Sequence, residues 1–464
     1  MIKITGGLCP KICWLLAGLA AAFSAPVNAQ NGANDSQARA VVSVGHGYSD
    51  NVGRDTADND VSSSFNALRL NFLLNRDRPR FDANFGGNVY VRRYADVPAG
   101  TDDDDVRGVI DGSLVASLIP NILTWDFRES FGQILQNPFD ADRLGNRERV
   151  TVFTTGPQLN LPLGQRMFLQ ATAQVGQRSF EKSEALDSDT SGGTLGVVRT
   201  LNPVSQIGLQ LTTSEVEYDS SQSGFEIDSA YLTYSRELAT GGVQISLGGS
   251  EVTIAEQSHS TALIRFAWNR DVGARSNLSV FGGQEYTDAG ALFRTGSGVS
   301  GVNGFGSPGG FGGGGLFDLR RLEDARLRDV ISATNPLERS NLTIGWRISG
   351  QRTNIFLSTG LWQDRYEVDN GLDNDGSHAD LEISREFTQR WSGQIGVRAY
   401  RRDFKVAAQE DDNVVTRLTT SYQIGVRAGI SFEYRRYSRD QRDAPGRGYD
   451  DAEYVVFFNY TFGR

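Results

Sequence analysis

The sequence predicts an all-β fold, a transmembrane antiparallel up-and-down β-barrel of about 20 strands (18–20). Three observations predict it: an export signal at the N-terminus, apolar–polar alternation in long segments from residue 40 onward, and connections that alternate between short and long. Period-two alternation gives each segment one apolar and one polar face. A wall with lipid outside and water inside needs that arrangement in every strand.

Residues 1–29 read as a signal peptide. Lys3 and Lys11 supply a positive start, Ile12 to Phe23 an apolar run of 12 residues, and Val27-Asn28-Ala29 a small-x-small cleavage site near Ala29/Gln30. That run falls short of the ~20 residues of a membrane helix. Both cysteines, Cys9 and Cys13, lie inside the signal, which leaves the rest of the chain without disulfide or thiol chemistry. Residues 30–39 are expected to form a short periplasmic segment and residues 40–464 the barrel. A hydrophobic content of 39% with no later membrane helix fits a soluble secreted protein or a barrel. The 53 glycines, 25 phenylalanines and 15 tyrosines favour the barrel.

The alternating segments begin near Ala40, Ser63, Phe81, Asp105, Ile122, Arg147, Arg166, Ser191, Ser205 and Phe225. They continue near Gly241, Ser260, Arg275, Glu338, Arg352, Ser377, Trp391, Asn413, Val426 and Asp451. Most run 11 to 16 residues. Globular strands average ~5–6, and a tilted membrane strand needs ~9–11 within the bilayer. Short connections such as Pro120-Asn121, Thr240-Gly241 and Gly350-Gln351 alternate with longer acidic ones such as Asp96 to Asp105 and Val368 to Ser377. Short periplasmic turns and long extracellular loops have this asymmetry, and an even strand number puts both chain ends in the periplasm. In the last segment Tyr454, Val456, Phe458, Tyr460 and Phe462 share one face. Phe458, Tyr460 and Phe462 resemble the C-terminal signal read by the outer-membrane assembly machinery, with Gly463-Arg464 following the final aromatic ring.

Residues 290–336 form the longest connection, extracellular by parity. Its first half is a glycine-rich run through Gly315, and its second half, Phe317 to Ser332, has the spacing of a short helix. Phe317, Leu319, Leu322, Arg326, Leu327 and Val330 are the gate candidates if the loop folds into the lumen; an exposed loop with no gating role is the alternative.

Alternation also assigns faces. Ile344, Trp346 and Ile348 point to lipid and Arg347 to the lumen; the same logic turns Arg265, Arg398, Arg417, Arg427 and Arg435 inward. On the lipid face at the bilayer midplane each would cost about 2–4 kcal/mol. Two roles stay open for them: structural pairing with inward acids such as Glu382 and Glu433, or a positive lumen that passes anions. The chain is acidic overall, at −10, and its acids crowd the long loops, as in Asp102 to Asp105. Such loops suit solvent or divalent bridges to lipopolysaccharide better than a dedicated metal site.

No catalytic residue, metal site or cofactor is expected. His46, His259 and His378 lie in no nucleophile motif, and no Walker, zinc or dinucleotide fingerprint occurs. An acidic chain without a basic stripe argues against nucleic acid.

The stretch Trp125-Asp126-Phe127-Arg128-Glu129-Ser130-Phe131 is followed by Asn137-Pro138-Phe139-Asp140, Asn146-Arg147-Glu148 and Thr155-Gly156-Pro157. Together these resemble outer-membrane barrels encoded with exopolysaccharide or exosortase (PEP-CTERM) loci, the β-barrel porin type 2 family. The resemblance implies a Gram-negative outer-membrane channel that exports an exopolysaccharide, anionic in view of the inward arginines. Its implied partners are outer-membrane lipid and lipopolysaccharide, the assembly machinery, the polysaccharide and periplasmic export components. A general diffusion porin and a non-conducting structural or adhesive barrel are the alternatives.

Overall fold

The computed structural model describes residues 37–56, 60–98, 103–220, 224–295, 327–328, 330–442 and 448–463. The expected signal peptide and Phe317, Leu319, Leu322 and Arg326 lie outside the described residues.

Ten strands make the first half of the wall: β1 (Gln37–Ser49), β2 (Ser63–Arg78), β3 (Phe81–Tyr94), β4 (Asp104–Ile119), β5 (Leu123–Leu135), β6 (Arg147–Pro162), β7 (Met167–Phe180), β8 (Ser188–Asn202), β9 (Ser205–Tyr218) and β10 (Phe225–Leu238). The second half holds β11 (Gly241–Ile254), β12 (Gln257–Asp271), β13 (Ser276–Thr287), β14 (Leu337–Ser349), β15 (Thr353–Tyr366), β16 (Asn374–Glu386), β17 (Trp391–Phe404), β18 (Gln409–Gln423), β19 (Ala428–Gln441) and β20 (Tyr449–Gly463). Each strand pairs antiparallel with the next. β20 returns to β1, with Arg39 opposite Gly463 and Ser49 opposite Glu453. The sheet therefore closes as an all-β barrel of 20 strands and leaves no edge. β1 starts at Gln37, so the expected periplasmic segment 30–39 overlaps the wall; Arg39 already has a ladder partner in β20.

The outer face is apolar. Leu361 is 61% exposed to solvent and Val456 52%, and Leu68, Leu209, Leu247 and Ile344 are exposed with them. So much aliphatic surface on one cylinder is stable only against lipid. Trp125, Trp346 and Trp391 sit outward near the short-turn ends, where Nε1 donates to Thr155, Ser276 and Thr420 at 2.7, 2.6 and 2.8 Å. Tyr434 and Tyr454 stack at 5.0 Å toward the other rim. These are the two aromatic belts of a membrane barrel. Phe458, Tyr460 and Phe462 face outward on β20, beside the closing β1 ladder.

The predicted alternation of short and long connections holds with two exceptions on the long-loop side: β11 and β12 are joined by Ala255-Glu256 alone, and β17 and β18 by residues 405–408, no longer than several turns at the opposite end. The longest connection, between β13 and β14, opens with a short helix, Ala289–Thr295. Its described ends fold inward. Leu292, Phe293 and Val330 pack against Ile134, Val150, Val152 and Phe180 of β5–β7. Ile331 makes a parallel bridge to Leu135, so the helix expected over Phe317 to Ser332 does not extend through its last residues. Pairing with β5 satisfies backbone groups there that a helix would have satisfied internally.

Candidate functional site

Inward positions on β1–β4 and β17–β20 carry a lattice of arginines, carboxylates and tyrosines. Arg69 of β2 donates to both oxygens of Glu433 on β19 at 2.5 and 2.8 Å, and Arg435 donates to the same carboxylate at 3.1 Å. Arg92 of β3 binds Glu453 of β20 in the same bidentate manner, at 2.7 and 3.0 Å. Arg107 pairs with Asp105, Arg398 with Asp380, and Arg439 with Asp411 at 2.8 Å. Rings lie flat beneath these cations: Arg69 over Phe457 at 4.2 Å, and Arg92 over Tyr90 at 4.5 Å. The planar guanidinium is suited to both contacts at once.

Two loops bend into this lattice. Arg54, in the β1–β2 connection, takes a left-handed φ of 46°. It is held there by Asp451 at 3.1 Å, Asp142 at 3.0 Å and the Tyr437 ring at 3.7 Å. Asp142, from the β5–β6 connection, also binds Arg147. Burial alone would raise the Asp142 carboxyl, but Arg147 and Arg54 hold it well below the usual carboxylate range, so it stays charged.

At the centre is a cavity of ≈ 60 Å³ lined by six arginines (Arg69, Arg107, Arg147, Arg398, Arg417 and Arg435), three tyrosines (Tyr90, Tyr400 and Tyr437), Asp142 and Leu327. Glu433, Asp105 and Asp380 stand behind the arginines and bond to them. Five of these arginines are bonded to four carboxylates: Arg69 and Arg435 to Glu433, Arg107 to Asp105, Arg398 to Asp380, and Arg147 to Asp142. Guanidinium groups next to aromatic faces bind planar anions and the rings of sugar acids.

Of the arginines predicted to line the lumen, Arg398, Arg417 and Arg435 converge on this cavity. Arg265 faces inward on β12 but lies elsewhere, bound to Glu285 at 2.5 Å. Arg347 is on β14, outside the cavity lining. Arg427 is a correction: β19 begins only at Ala428, and Arg427 is an exposed residue of the turn before it. The alternation from Val426 onward runs through that turn, where it has no structural meaning. Of the gate candidates among the described residues, Leu327 touches the cavity and Val330 is buried against β5–β7. Sequence reasoning missed Arg69, Arg92 and Arg107, although the alternation of Leu68-Arg69-Leu70 and Val91-Arg92 already points them inward. Among the described residues no group of acidic or histidine side chains is placed to hold a metal.

The lumen face of β8–β12 is different. Thr194 and Thr212 are 3.3 Å apart, Ser229 and Ser250 2.9 Å, Thr233 and Ser246 2.8 Å, and Tyr231 donates to Gln210 at 2.7 Å. This wall is hydroxyl-lined and, over those positions, neutral.

No protein-family model and no curated protein matches the sequence. Solved structures resemble it in shape. OccAB4 of Acinetobacter baumannii has 11% identity over 93% of this chain and 100% of its own, with a TM-score of 0.36. OpdK of Pseudomonas aeruginosa, solved with vanillate, has 11% identity over 92% and 99%, at 0.37. The FrpB iron transporter of Neisseria meningitidis (F5-1 variant) has 10% identity over 92% and 83%, at 0.44. At such values the likeness carries nothing about what this barrel passes.

Proposed function

We propose that this chain is an outer-membrane channel for an anionic saccharide and, in the form its family resemblance implies, that it exports an exopolysaccharide. The observation that carries this reading is the lumen cavity, lined by six arginines beside three tyrosines. Passage needs no covalent chemistry. Guanidinium groups would hold sugar carboxylates by short-lived bidentate contacts, and the tyrosine faces would guide the rings. A 20-strand wall is wide enough for an aqueous path, since 16–18 strands already leave one. The outward Phe458, Tyr460 and Phe462 would serve assembly, and the acidic loops would meet lipopolysaccharide.

In planar bilayers the purified protein is expected to give anion-selective openings, and Arg398→Gln with Arg435→Gln to move the reversal potential toward zero. Deleting the gene should abolish secretion of the polysaccharide. Unchanged export alongside anion-selective conductance would leave the second reading, a diffusion porin for small anions. The inward packing of Leu292, Phe293 and Val330, which narrows the lumen, favours that second reading.

A further inference from the structure

We propose that the seam between β12 and β13 is a lateral portal, through which an amphiphile with an uncharged polar head, an alkyl glycoside in its simplest form, passes between the lumen and the outer leaflet. The inference goes beyond the channel reading and does not rest on the lumen being selective for anions.

Every strand of the closed sheet has two neighbours, but this seam is paired over part of its height only. The β12–β13 ladder runs from Asp271–Asn277 up to Ile264–Gln284 and stops. Above it Gln257 to Leu263 of β12 pair with β11 alone, and Glu285 to Thr287 of β13 with β14 alone. Ile264 is an exposed, outward residue of the apolar band, and Ala262 and Ser260 follow it on the same face. The split therefore begins at the top of that band. Unpaired strand backbone is not stable against hydrocarbon unless protein covers it or it lines a cavity. Here side chains supply the cover. Gln284 Nε2 donates to Thr261 at 3.1 Å and to Glu338 at 2.5 Å, and Glu367 accepts from Tyr286 at 2.7 Å and lies 3.1 Å from His259 Nδ1. The Tyr286 ring packs behind β9–β11 on Val216, Phe225 and Val252. Side-chain contacts thus close what a ladder closes elsewhere, and they can break without unfolding a strand.

Both sides of the seam suit the same ligand. On the lumen side a row of hydroxyls, one per strand, crosses the wall from β7 to β12. Thr172, Thr194, Thr212, Ser229, Ser250 and Thr261 stand opposite one another in turn. The last of them is on the unpaired edge. Hydroxyls both donate and accept, so the row can follow the hydroxyls of a sugar along its length. On the outer side a groove of ≈ 800 Å³ crosses the same strands and reaches Ser260 and Thr261. Its lower rim, with the outward Leu195, Leu211 and Ala230, is apolar and takes an alkyl chain. Its upper rim holds Asp228 directly opposite Glu251. Among the described residues no cation pairs with either carboxylate, so an anionic head is repelled there and an uncharged one admitted.

The test places a bimane label at single cysteines of the exported protein, expected to lack Cys9 and Cys13, in vesicles of phosphatidylcholine brominated along its chains. Leu211→Cys, on the outer wall, should be quenched strongly, and Thr194→Cys, on the lumen side of the closed wall, hardly at all. Ser250→Cys, on the lumen side but next to Thr261, should be quenched well above Thr194→Cys. Adding Gln284→Ala should raise that quenching by up to about fivefold, the loss of one neutral hydrogen bond across the seam. Ser229→Cys, one strand further from the seam, gives the same order should the buried Ser250 not accept the label. Octyl glucoside below its micellar concentration should displace the brominated chains and restore the fluorescence; octyl glucuronide, an anion at neutral pH, should not. Labels at Ser250 and Ser229 quenched no more than that at Thr194, with and without Gln284→Ala, overturn the portal. Equal recovery with the two glycosides overturns its choice of an uncharged head. Both readouts are lipid contact, so neither depends on the ion selectivity of the lumen.

Discussion

The two sides of the lumen reach a polar interior by opposite chemistry. On β1–β4 and β17–β20 it is built from buried ion pairs such as Arg69–Glu433 and Arg92–Glu453, each bidentate and backed by a ring. On β8–β12 it is built from hydroxyl pairs such as Thr194–Thr212 and Ser229–Ser250. A neutral hydrogen bond contributes about 1 kcal/mol net, and its loss leaves little behind. Removing one partner of a buried ion pair leaves a desolvated charge and costs about 3–5 kcal/mol. The charged side is therefore locked in register, and under the proposed function it is the side that would set selectivity. The hydroxyl side tolerates change and offers hydrogen bonds without preference of sign.

The largest expected effect breaks the charged side. Glu433→Gln leaves both Arg69 and Arg435 without their shared carboxylate. It should lower stability by about 5 kcal/mol, the upper end for a buried pair, read from the urea midpoint of the refolded barrel in micelles. Ser250→Ala on the opposite wall should cost about 1 kcal/mol or less in the same assay. Equal costs would erase the contrast between the walls.

A smaller effect separates structural pairs from the cavity. Arg265 and Glu285 pair at 2.5 Å, with Arg265 over the Tyr231 ring at 4.8 Å, on the hydroxyl side of the barrel. Glu285→Leu alone should cost about 3 kcal/mol, whereas Arg265→Met with Glu285→Leu should recover to within about 1 kcal/mol of the parent. The double variant should keep the parent reversal potential. A shift as large as that of Arg435→Gln would bring Arg265 into the selective site.

Much of this was legible in the sequence because a β-barrel translates it almost residue by residue. Period-two alternation located all 20 strands within a few residues and placed Arg398, Arg417 and Arg435 inside. It gives the face of a strand but neither the height of a residue in the barrel nor its neighbour across the closure. Glu433 therefore stood out as an inward acid, while its partner Arg69, 364 residues away in sequence, did not. Loops carry no period at all. Nothing local announces that Arg54 and Asp142 bend in to meet each other at 3.0 Å. The helix Ala289–Thr295, at 7 residues, is too short for its own periodicity to show.

The smallest effect concerns how each wall turns at its end. At the foot of β4, Asn121 adopts a left-handed φ of 61°, which asparagine tolerates well. At the head of β11, Ala255 and Glu256 adopt φ of 46° and 72°, the two-residue hairpin geometry that favours Asn-Gly. Neither residue suits it, and the left-handed region costs roughly 1–2 kcal/mol per ordinary residue. Ala255→Asn with Glu256→Gly should thus stabilise the barrel by about 1 kcal/mol, after the extra chain freedom of glycine is counted, while Asn121→Ala should destabilise it by a similar amount. Opposite shifts of the urea midpoint would show strain stored at the end of the hydroxyl wall and relieved at the end of the charged one. A null result for Ala255 and Glu256, with the Asn121 effect intact, would mean that this hairpin tip frays before the barrel unfolds, so that its strain never enters the cooperative transition.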